Sequence, residues 1–135
     1  MNEAQLTHLK LATEDTPEFT LESVKTLCKV VDVYDGDTVK VVFYYKDELL
    51  KWTVRLYGIN TPETRTRDLV EKEKGIEATK KLLETCDYSV QIKSHGLDKY
   101  GRSLAEIMIE SPFIGTINLN QYLLNEGFAE ESMKN

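Results

Sequence analysis

The sequence predicts a single, mainly β domain of the α+β class. Short segments rich in β-branched and aromatic residues recur between turn signals. One helical pattern stands between the third and fourth of these segments, and a shorter one follows the fifth. A chain of 135 residues can bury one core, so we assign residues 1–22 to an N-terminal arm and residues 23–135 to one folded domain.

The first three strands form a predicted meander. Segment 24–33 is rich in β-branched residues and leads into Asp35-Gly36-Asp37, a strong turn signal. Segments 38–45 and 50–58 alternate apolar and polar residues, as strands with one buried face do.

The second half of the domain contains both helices. Residues 65–74 are charged and show no clear period, which predicts a surface loop. Residues 75–86 are predicted to form a helix, because one helical face carries its apolar and small side chains. These are Ile76, Thr79, Leu83 and Cys86.

Two further strands, 88–94 and 104–109, flank a loop that we expect to contain His95. A short helix over 119–126 follows, with Asn118 as its N-cap and Gly127 at C′, and Tyr122 is expected in the core. This order predicts an OB-fold, a five-stranded Greek-key β-barrel with a helix between strands three and four and a short C-terminal helix.

The formal net charge of −6 argues against nonspecific binding of nucleic acid through a basic surface. Its distribution weakens that objection, because residues 1–22 carry five acidic side chains and only one lysine. Residues 23–128 are close to neutral, so a local basic groove remains compatible with the composition.

We see no signal peptide and no apolar run of about 20 residues, so we expect an intracellular, cytoplasmic protein without membrane contact. We also expect a monomer. Cys28 and Cys86 are expected to be free thiols. His8 and His95 have no partner pattern, so no metal or catalytic role is assigned to either.

Candidate site residues gather in three stretches. Arg55 ends the third strand, and the turn after it offers oxygen donors at Asn60 and Thr61 and a carboxylate at Glu63. Asp37 begins the second strand, and Arg102 follows the loop of Lys99 and Tyr100. Oxygen ligands suit a hard cation such as Ca²⁺, and fixed arginines suit a phosphate that gains charge during hydrolysis. Arg65 and Arg67 either reach substrate phosphates or stay solvated.

These stretches resemble the signature stretches of the staphylococcal nuclease (thermonuclease) family. The resemblance rests on Asp35-Gly36-Asp37-Thr38-Val39, on Arg55-Leu56 with Asn60-Thr61-Pro62-Glu63-Thr64, and on Asp98-Lys99-Tyr100-Gly101-Arg102, and it covers about residues 24–129. It implies a calcium-dependent phosphodiesterase that acts on DNA and RNA and leaves 3′-phosphates.

The resemblance also implies roles for individual residues. Asp37, Asn60 and Thr61 would hold the metal, the last through its carbonyl, and Glu63 would activate or orient the attacking water. Arg55 and Arg102 would bind the phosphate and stabilise the pentacoordinate state, while Lys99 and Tyr100 would contact a neighbouring phosphate.

The sequence departs from the family pattern at Asn60 and in its C-terminal part. Asn60 stands where the best-known member has a second aspartate ligand, which predicts weaker calcium binding or another metal preference. A tyrosine that stacks on the nucleotide falls near Ser132 and Met133, which cannot stack in the same way.

Two other functions stay open at this point. One is a noncatalytic OB-fold module that binds single-stranded nucleic acid or a protein through exposed aromatics, for which Tyr44, Tyr45, Trp52 and Tyr57 are available. The other is a purely structural domain in which Arg55 and Glu63 form an internal ion pair. We favour the nuclease, since neither alternative needs Asp37, Glu63 and two arginines together.

Overall fold

The computed structural model describes residues 1–16, 22–61 and 66–132, apart from the side chains of residues 22–24 and 66–67. In chain order its elements are α1 (Glu3–Lys10), β1 (Glu22–Asp35), β2 (Thr38–Tyr45), β3 (Glu48–Leu56), β4 (Ile59–Asn60), α2 (Thr66–Glu84), β5 (Ser89–Leu97), β6 (Ser103–Ser111), β7 (Gly115–Asn118), α3 (Leu119–Asn125) and β8 (Glu130–Glu131).

Five long strands close into a barrel. Their antiparallel order is β3-β2-β1-β5-β6, and a parallel pairing of β3 with β6 joins the two ends. The short strand β7 extends the sheet beyond β6, while β4 and β8 form a separate pair. The predicted five-stranded barrel, with one helix after its third strand and one near its C-terminal end, is confirmed.

Strand alternation places the apolar residues inside the barrel. Along β6 the buried positions alternate with partly exposed ones from Ser103 to Ile109. Val41, Val54 and Ile107 are fully buried, as the alternation predicted for the first two. Burying apolar area contributes about 25 cal/mol per Å², so these inward residues hold the strand ends in the arrangement that positions the site.

Helix α2 begins nine residues earlier than predicted, and the loop prediction is wrong for 66–74. Leu69 and Val70 remain exposed, so they do not form the buried apolar face that gives the sequence of a helix a clear period. Lys72 instead anchors it through an ion pair, with Nζ 3.0 Å from Asp35 Oδ1. Arg65 lies outside the described residues.

Gly75 lies within α2, where glycine costs about 1 kcal/mol relative to alanine. A Cβ at this position would come within 3.1 Å of Phe128 Cβ. The missing side chain therefore allows α2 to pack closely against the segment after α3, a long-range contact that local helix propensity does not contain.

Strand β5 continues to Leu97, so the loop prediction is wrong for 95–97 and His95 lies in a strand. A register irregularity between Ser94 and Leu97, with Gly96 at φ 110°, allows the strand to go on past the expected end. This is a bulge, which local sequence patterns predict poorly.

The short helix α3 has the predicted ends. Asn118 accepts a hydrogen bond at Oδ1 from Gln121 N, at 3.1 Å, and Gly127 follows the helix at φ 77°. Tyr122 is half-buried against the core. The four-residue strand β7, which precedes α3, was not predicted.

The N-terminal arm contains a helix that packs little. Asn2 and Gln5 form a capping box at the start of α1, and none of the helix residues is buried. Both cysteines are free, as predicted, and burial raises the pKa of the Cys28 thiol to about 12. Among the described residues, no helix has the length and apolar character needed to cross a membrane.

Candidate active site at the ends of two barrel strands

Arg55 is anchored by the turn that follows it. Its Nη1 donates to the carbonyl oxygens of Leu56, at 3.2 Å, and Ile59, at 2.8 Å. Gly58 adopts φ 80°, a conformation that glycine accepts readily and that lets the chain double back toward the guanidinium. The Arg55 side chain is only 11% exposed, so the turn fixes the cation near the surface without leaving it mobile.

Asp37 faces this guanidinium from the neighbouring strand. Thr38 pairs with Arg55 in the β2–β3 register, and Leu56 N donates to the Asp37 carbonyl at 2.8 Å. Asp37 Oδ2 lies 3.3 Å from Arg55 Nη2 and accepts a hydrogen bond from Thr61 N at 3.2 Å. The first two signature stretches, separated by about twenty residues in sequence, therefore meet at one strand end.

Asn60 belongs to the same cluster. Arg55 Nη2 donates to Asn60 Oδ1, so the guanidinium holds the side-chain oxygens of both Asn60 and Asp37. The structure thus brings together the three predicted metal-binding residues, Asp37, Asn60 and Thr61, with one predicted catalytic arginine.

Gly36 makes the close approach of the two turns possible. A Cβ at this position would come within 2.7 Å of Thr61 Cγ2, well below an ordinary contact, and within 3.1 Å of Lys72 Cγ. Thr61 Oγ1 is buried and has no hydrogen-bond partner among the described residues. A buried hydroxyl without a partner in the described part of the chain is an unmet polar group at the point where a ligand is expected.

Arg102 is held by the loop before β6. Asp98 accepts hydrogen bonds from Arg102 N and Tyr100 N, at 2.9 and 2.8 Å, and its Oδ2 lies 2.6 Å from Arg102 Nε. Burial raises the pKa of Asp98, but the hydrogen bonds from Arg102 and Tyr100 outweigh it and hold the pKa below its ordinary value. Asp98 is thus a charged clamp that orients Arg102, a role the sequence did not predict.

The two arginines lie at the same end of adjacent strands. Arg55 pairs with Leu104 in the parallel β3–β6 register, two residues beyond Arg102. Burial lowers the pKa of Arg55, Asp37 opposes this, and the like charge of Arg102 adds to the lowering. Arginine remains protonated at any physiological pH, so two charged guanidinium groups lie close together here, each paired with a carboxylate, Asp37 for Arg55 and Asp98 for Arg102.

The aromatic ring of Tyr100 lies beneath two cations. Lys99 Nζ is 5.1 Å and Arg102 Cζ is 5.4 Å from its centroid, and Tyr100 is exposed. Lys99, Tyr100 and Arg102 therefore form one exposed surface. Glu63 and Arg67 cannot be placed against it, because Glu63 and the Arg67 side chain lie outside the described part of the chain.

The oxygen donors fit a hard divalent cation. Asp37 and Asn60 direct side-chain oxygens toward the same positive group, and a carboxylate with an amide oxygen is a pair of donors that Ca²⁺ accepts. The described residues contain no cluster of three His, Cys, Asp or Glu side chains suited to a metal, so this set has one carboxylate and relies on neutral oxygens.

His95 has a partner that the sequence reasoning missed. Its Nε2 lies 2.7 Å from Glu106 Oε2, and its ring stacks on that of Tyr57. His95 and Glu106 are eleven positions apart, on the two strands of a hairpin, so only the β5–β6 register could have indicated their contact.

A family model matches more than half of the chain. Residues 53–135 match the family described as staphylococcal nuclease homologue. The matched range includes Arg55, Asn60, Glu63 and Arg102 but excludes Asp37, which the fold brings into the cluster.

Two curated relatives also match. An uncharacterized protein of Methanocaldococcus jannaschii is 33% identical over 128 residues, covering 79% of this chain and 59% of the relative. An uncharacterized protein of Bacillus anthracis is 35% identical over 115 residues, covering 80% of this chain and 47% of the relative. The chain therefore spans about half the length of the curated relatives it matches.

Proposed function

The chain belongs to the family of staphylococcal nuclease homologues, and from that premise we propose that it is a metal-dependent phosphodiesterase. The proposed reaction is hydrolysis of DNA or RNA to products with 3′-phosphates, with Ca²⁺ as the expected cofactor. The observation that carries the proposal is the meeting of Arg55, Asp37, Asn60 and Thr61 at one barrel end, beside Arg102.

Asp37, Asn60 and the Thr61 carbonyl are the residues that would hold the metal. A bound divalent cation supplies Lewis-acid polarisation of a phosphoryl oxygen and favours ionisation of water. Arg55 contacts the side-chain oxygens of Asp37 and Asn60, so its guanidinium lies beside the place where a phosphate would bind next to a cation held by these oxygens.

Arg55 and Arg102 are proposed to bind the scissile phosphate. Both guanidinium groups are oriented by neighbours, Arg55 by the Leu56 and Ile59 carbonyls and Arg102 by Asp98. Preoriented donors stabilise the charge that develops in the pentacoordinate state without reorganisation during the reaction. Lys99 and Tyr100, on the exposed side of Arg102, are proposed to contact the adjacent phosphate.

Glu63 is proposed to take the proton from the attacking water or to orient that water. It follows Thr61 by two positions and lies outside the described residues, so its role rests on its position in the family pattern. Removing a general base lowers the rate by about 10²- to 10⁴-fold.

The test is hydrolysis of a labelled single-stranded DNA in calcium, in magnesium and in EDTA. We expect cleavage with metal, none in EDTA, and 3′-phosphate ends. Glu63→Gln and Arg102→Ala should each lose about 100-fold or more in rate. The matched controls Glu77→Gln and Lys81→Ala, at exposed positions of α2, should retain activity. Absence of metal-stimulated cleavage, or equal cleavage by the wild type and both site variants, would overturn the proposal.

A noncatalytic binding module is the second candidate, favoured by one observation. Arg55 already pairs with Asp37 and Asn60, so the oxygens of the site have a resident cation without any metal. In that case the protein would bind single-stranded DNA equally well in calcium and in EDTA and leave it intact.

A further inference from the structure

A stacked pair of aromatic rings lies near the candidate site. Tyr57 and His95 stack with their centroids 3.9 Å apart and their planes 9° from parallel. Tyr57 is 37% exposed and His95 is partly exposed, so the pair forms part of the molecular surface. Neither residue belongs to the predicted metal, catalytic or phosphate-binding set.

The pair is held in place from below. His95 Nε2 lies within hydrogen-bond distance, 2.7 Å, of Glu106 Oε2, and Asn118 Nδ2 donates to Glu106 Oε1 at 3.1 Å. Asn118 in turn caps α3. The hydrogen bond with His95 is the main reason that the pKa of Glu106 lies below its ordinary value. This chain of contacts fixes the imidazole before any ligand arrives.

Tyr57 directly follows β3, the strand that carries Arg55, and His95 lies on β5, which pairs with β6, the strand that follows Arg102. On β3 the buried Val54 and Leu56 alternate with Arg55, whose side chain therefore points away from the core, and Tyr57 follows the end of the strand and is exposed. Tyr57 N donates to the Ala105 carbonyl at 2.9 Å, so Tyr57 lies farther along β6 from Arg102 than Arg55 does. Residues two apart on a strand are about 7 Å apart, a distance that one nucleotide can bridge.

A nucleobase offers the complementary surface. Base stacking on aromatic side chains tolerates any sequence, because every base has a π-face, and it supplies binding energy that does not depend on net charge. This matters here, because a chain with a net charge of −6 gains little from long-range attraction to phosphate.

We propose that Tyr57 and His95 form a stacking platform for a base of single-stranded nucleic acid next to the phosphate held by Arg55 and Arg102. The proposal rests on the proposed function for the position of that phosphate. A base inside a duplex is already stacked and paired, so the platform favours single strands and frayed ends over intact duplexes.

The test measures binding rather than cleavage. A short single-stranded oligonucleotide containing one 2-aminopurine is titrated with protein in EDTA, and quenching of its fluorescence reports stacking. Wild-type protein should quench the probe and bind it about tenfold more tightly than an oligonucleotide abasic at that position. Tyr57→Leu should lose the quenching and the preference for the base.

Two variants separate stacking from folding and from hydrogen bonding. Tyr57→Phe keeps the ring and should bind like the wild type, while His95→Gln keeps a donor toward Glu106 and should weaken quenching. Phe113→Leu is the matched control, since Phe113 is 82% exposed at the opposite end of β6, and it should change nothing.

The outcomes distinguish this proposal from the nuclease proposal. The platform is supported if the wild type quenches the probe and Tyr57→Leu does not, even if no DNA is cleaved in calcium. The platform is overturned if Tyr57→Leu retains the wild-type preference for the base, if Tyr57→Phe and Tyr57→Leu lose it equally, or if the wild type does not distinguish base from abasic probe. Cleavage of DNA in any of these cases leaves the nuclease proposal standing.

Discussion

Asn60 determines the charge of the candidate metal site. Its amide oxygen accepts a hydrogen bond from Arg55 Nη2, which also pairs with the carboxylate of Asp37. An aspartate in its place would add one negative charge without changing the length of the side chain. Calcium affinity follows the number of charged ligands in a site, so this position is the most direct test of whether these oxygens hold a metal.

We predict that Asn60→Asp tightens calcium binding by about tenfold or more, since one added charge at contact distance contributes on the order of 1–4 kcal/mol. Isothermal titration calorimetry gives the dissociation constant without requiring activity. Asn125→Asp, at an exposed position on α3, controls for the change in net charge. An unchanged constant in Asn60→Asp would mean that residue 60 does not face the bound metal.

Gly36 determines how closely the two turns of the site approach. Because a Cβ there would meet Thr61 Cγ2 at 2.7 Å, Gly36→Ala should destabilise the fold by about 1–3 kcal/mol. Thr61→Ser removes that methyl group and keeps the hydroxyl. We therefore predict that Gly36→Ala costs less in the Thr61→Ser background than in the wild type.

Urea denaturation of the four proteins, the wild type, both single variants and the double variant, gives the coupling free energy. We expect the double variant to be more stable than the sum of the two single effects predicts, by at least about 0.5 kcal/mol. Additive single effects would show that the contacts that Thr61→Ser leaves in place, with Lys72 Cγ and Thr61 Cβ at 3.1 Å each, account for the cost.

At the scale of elements, the loop between β5 and β6 shows what the sequence predicted and what it omitted. The motif predicted that Lys99, Tyr100 and Arg102 form one group, because they are close in sequence and share a turn. It did not predict the clamp by Asp98, which depends on the loop closing through the hydrogen bond from Asp98 N to the Arg102 carbonyl.

The Asp98 clamp makes this loop sensitive to acid. The pKa of Asp98 is lower in the folded protein than its ordinary value, so its contribution to stability is fully present above about pH 4 and is lost as the pH falls through the folded value. Asp98→Asn should therefore lower the free energy of unfolding at pH 7, by about 1–3 kcal/mol, and flatten its dependence on pH below 4.

Chemical denaturation between pH 2.5 and 7 measures this dependence. The control Asp87→Asn alters an exposed aspartate at φ 56°, a conformation that asparagine also adopts. An Asp98→Asn profile parallel to that of the wild type at every pH would contradict the assignment of the lowered pKa to this clamp.

Contacts between distant elements were beyond the sequence patterns. The length of α2 and the ion pair of Lys72 with Asp35 depend on packing of a helix against the β1–β2 turn. The pairing of His95 with Glu106 depends on the β5–β6 register after a bulge. Hydrophobic periodicity reports which face is buried, and it carries no information about which polar groups meet across strands.

At the scale of the whole molecule, closure of the barrel assembles the site. Asp37 and Arg102 lie 65 positions apart in sequence and reach one barrel end because β2 pairs with β3 and β3 pairs with β6. Spacing and turn signals predict the order of the five barrel strands along the chain. The parallel closure that brings the two arginines together follows from barrel geometry, which no local motif contains.

Part of the negative charge of the chain lies in its N-terminal residues. Residues 1–16 carry three acidic side chains and one lysine, and their helix buries none of its residues against the barrel. A segment without buried apolar area contributes little to stability. It still contributes its field, which repels a phosphate backbone over a distance set by salt.

We therefore predict that deleting residues 1–16 leaves the free energy of unfolding unchanged within about 0.5 kcal/mol, while Ile107→Ala, in the fully buried core, costs about 2–5 kcal/mol in the same assay. The same deletion should strengthen binding of single-stranded DNA in EDTA by about twofold at 20 mM salt, and the difference should vanish near 0.5 M as the Debye length falls below about 5 Å. A loss of stability above about 1 kcal/mol would mean that the arm packs on the barrel, because removal of acidic charge alone cannot destabilise a chain that is already negative.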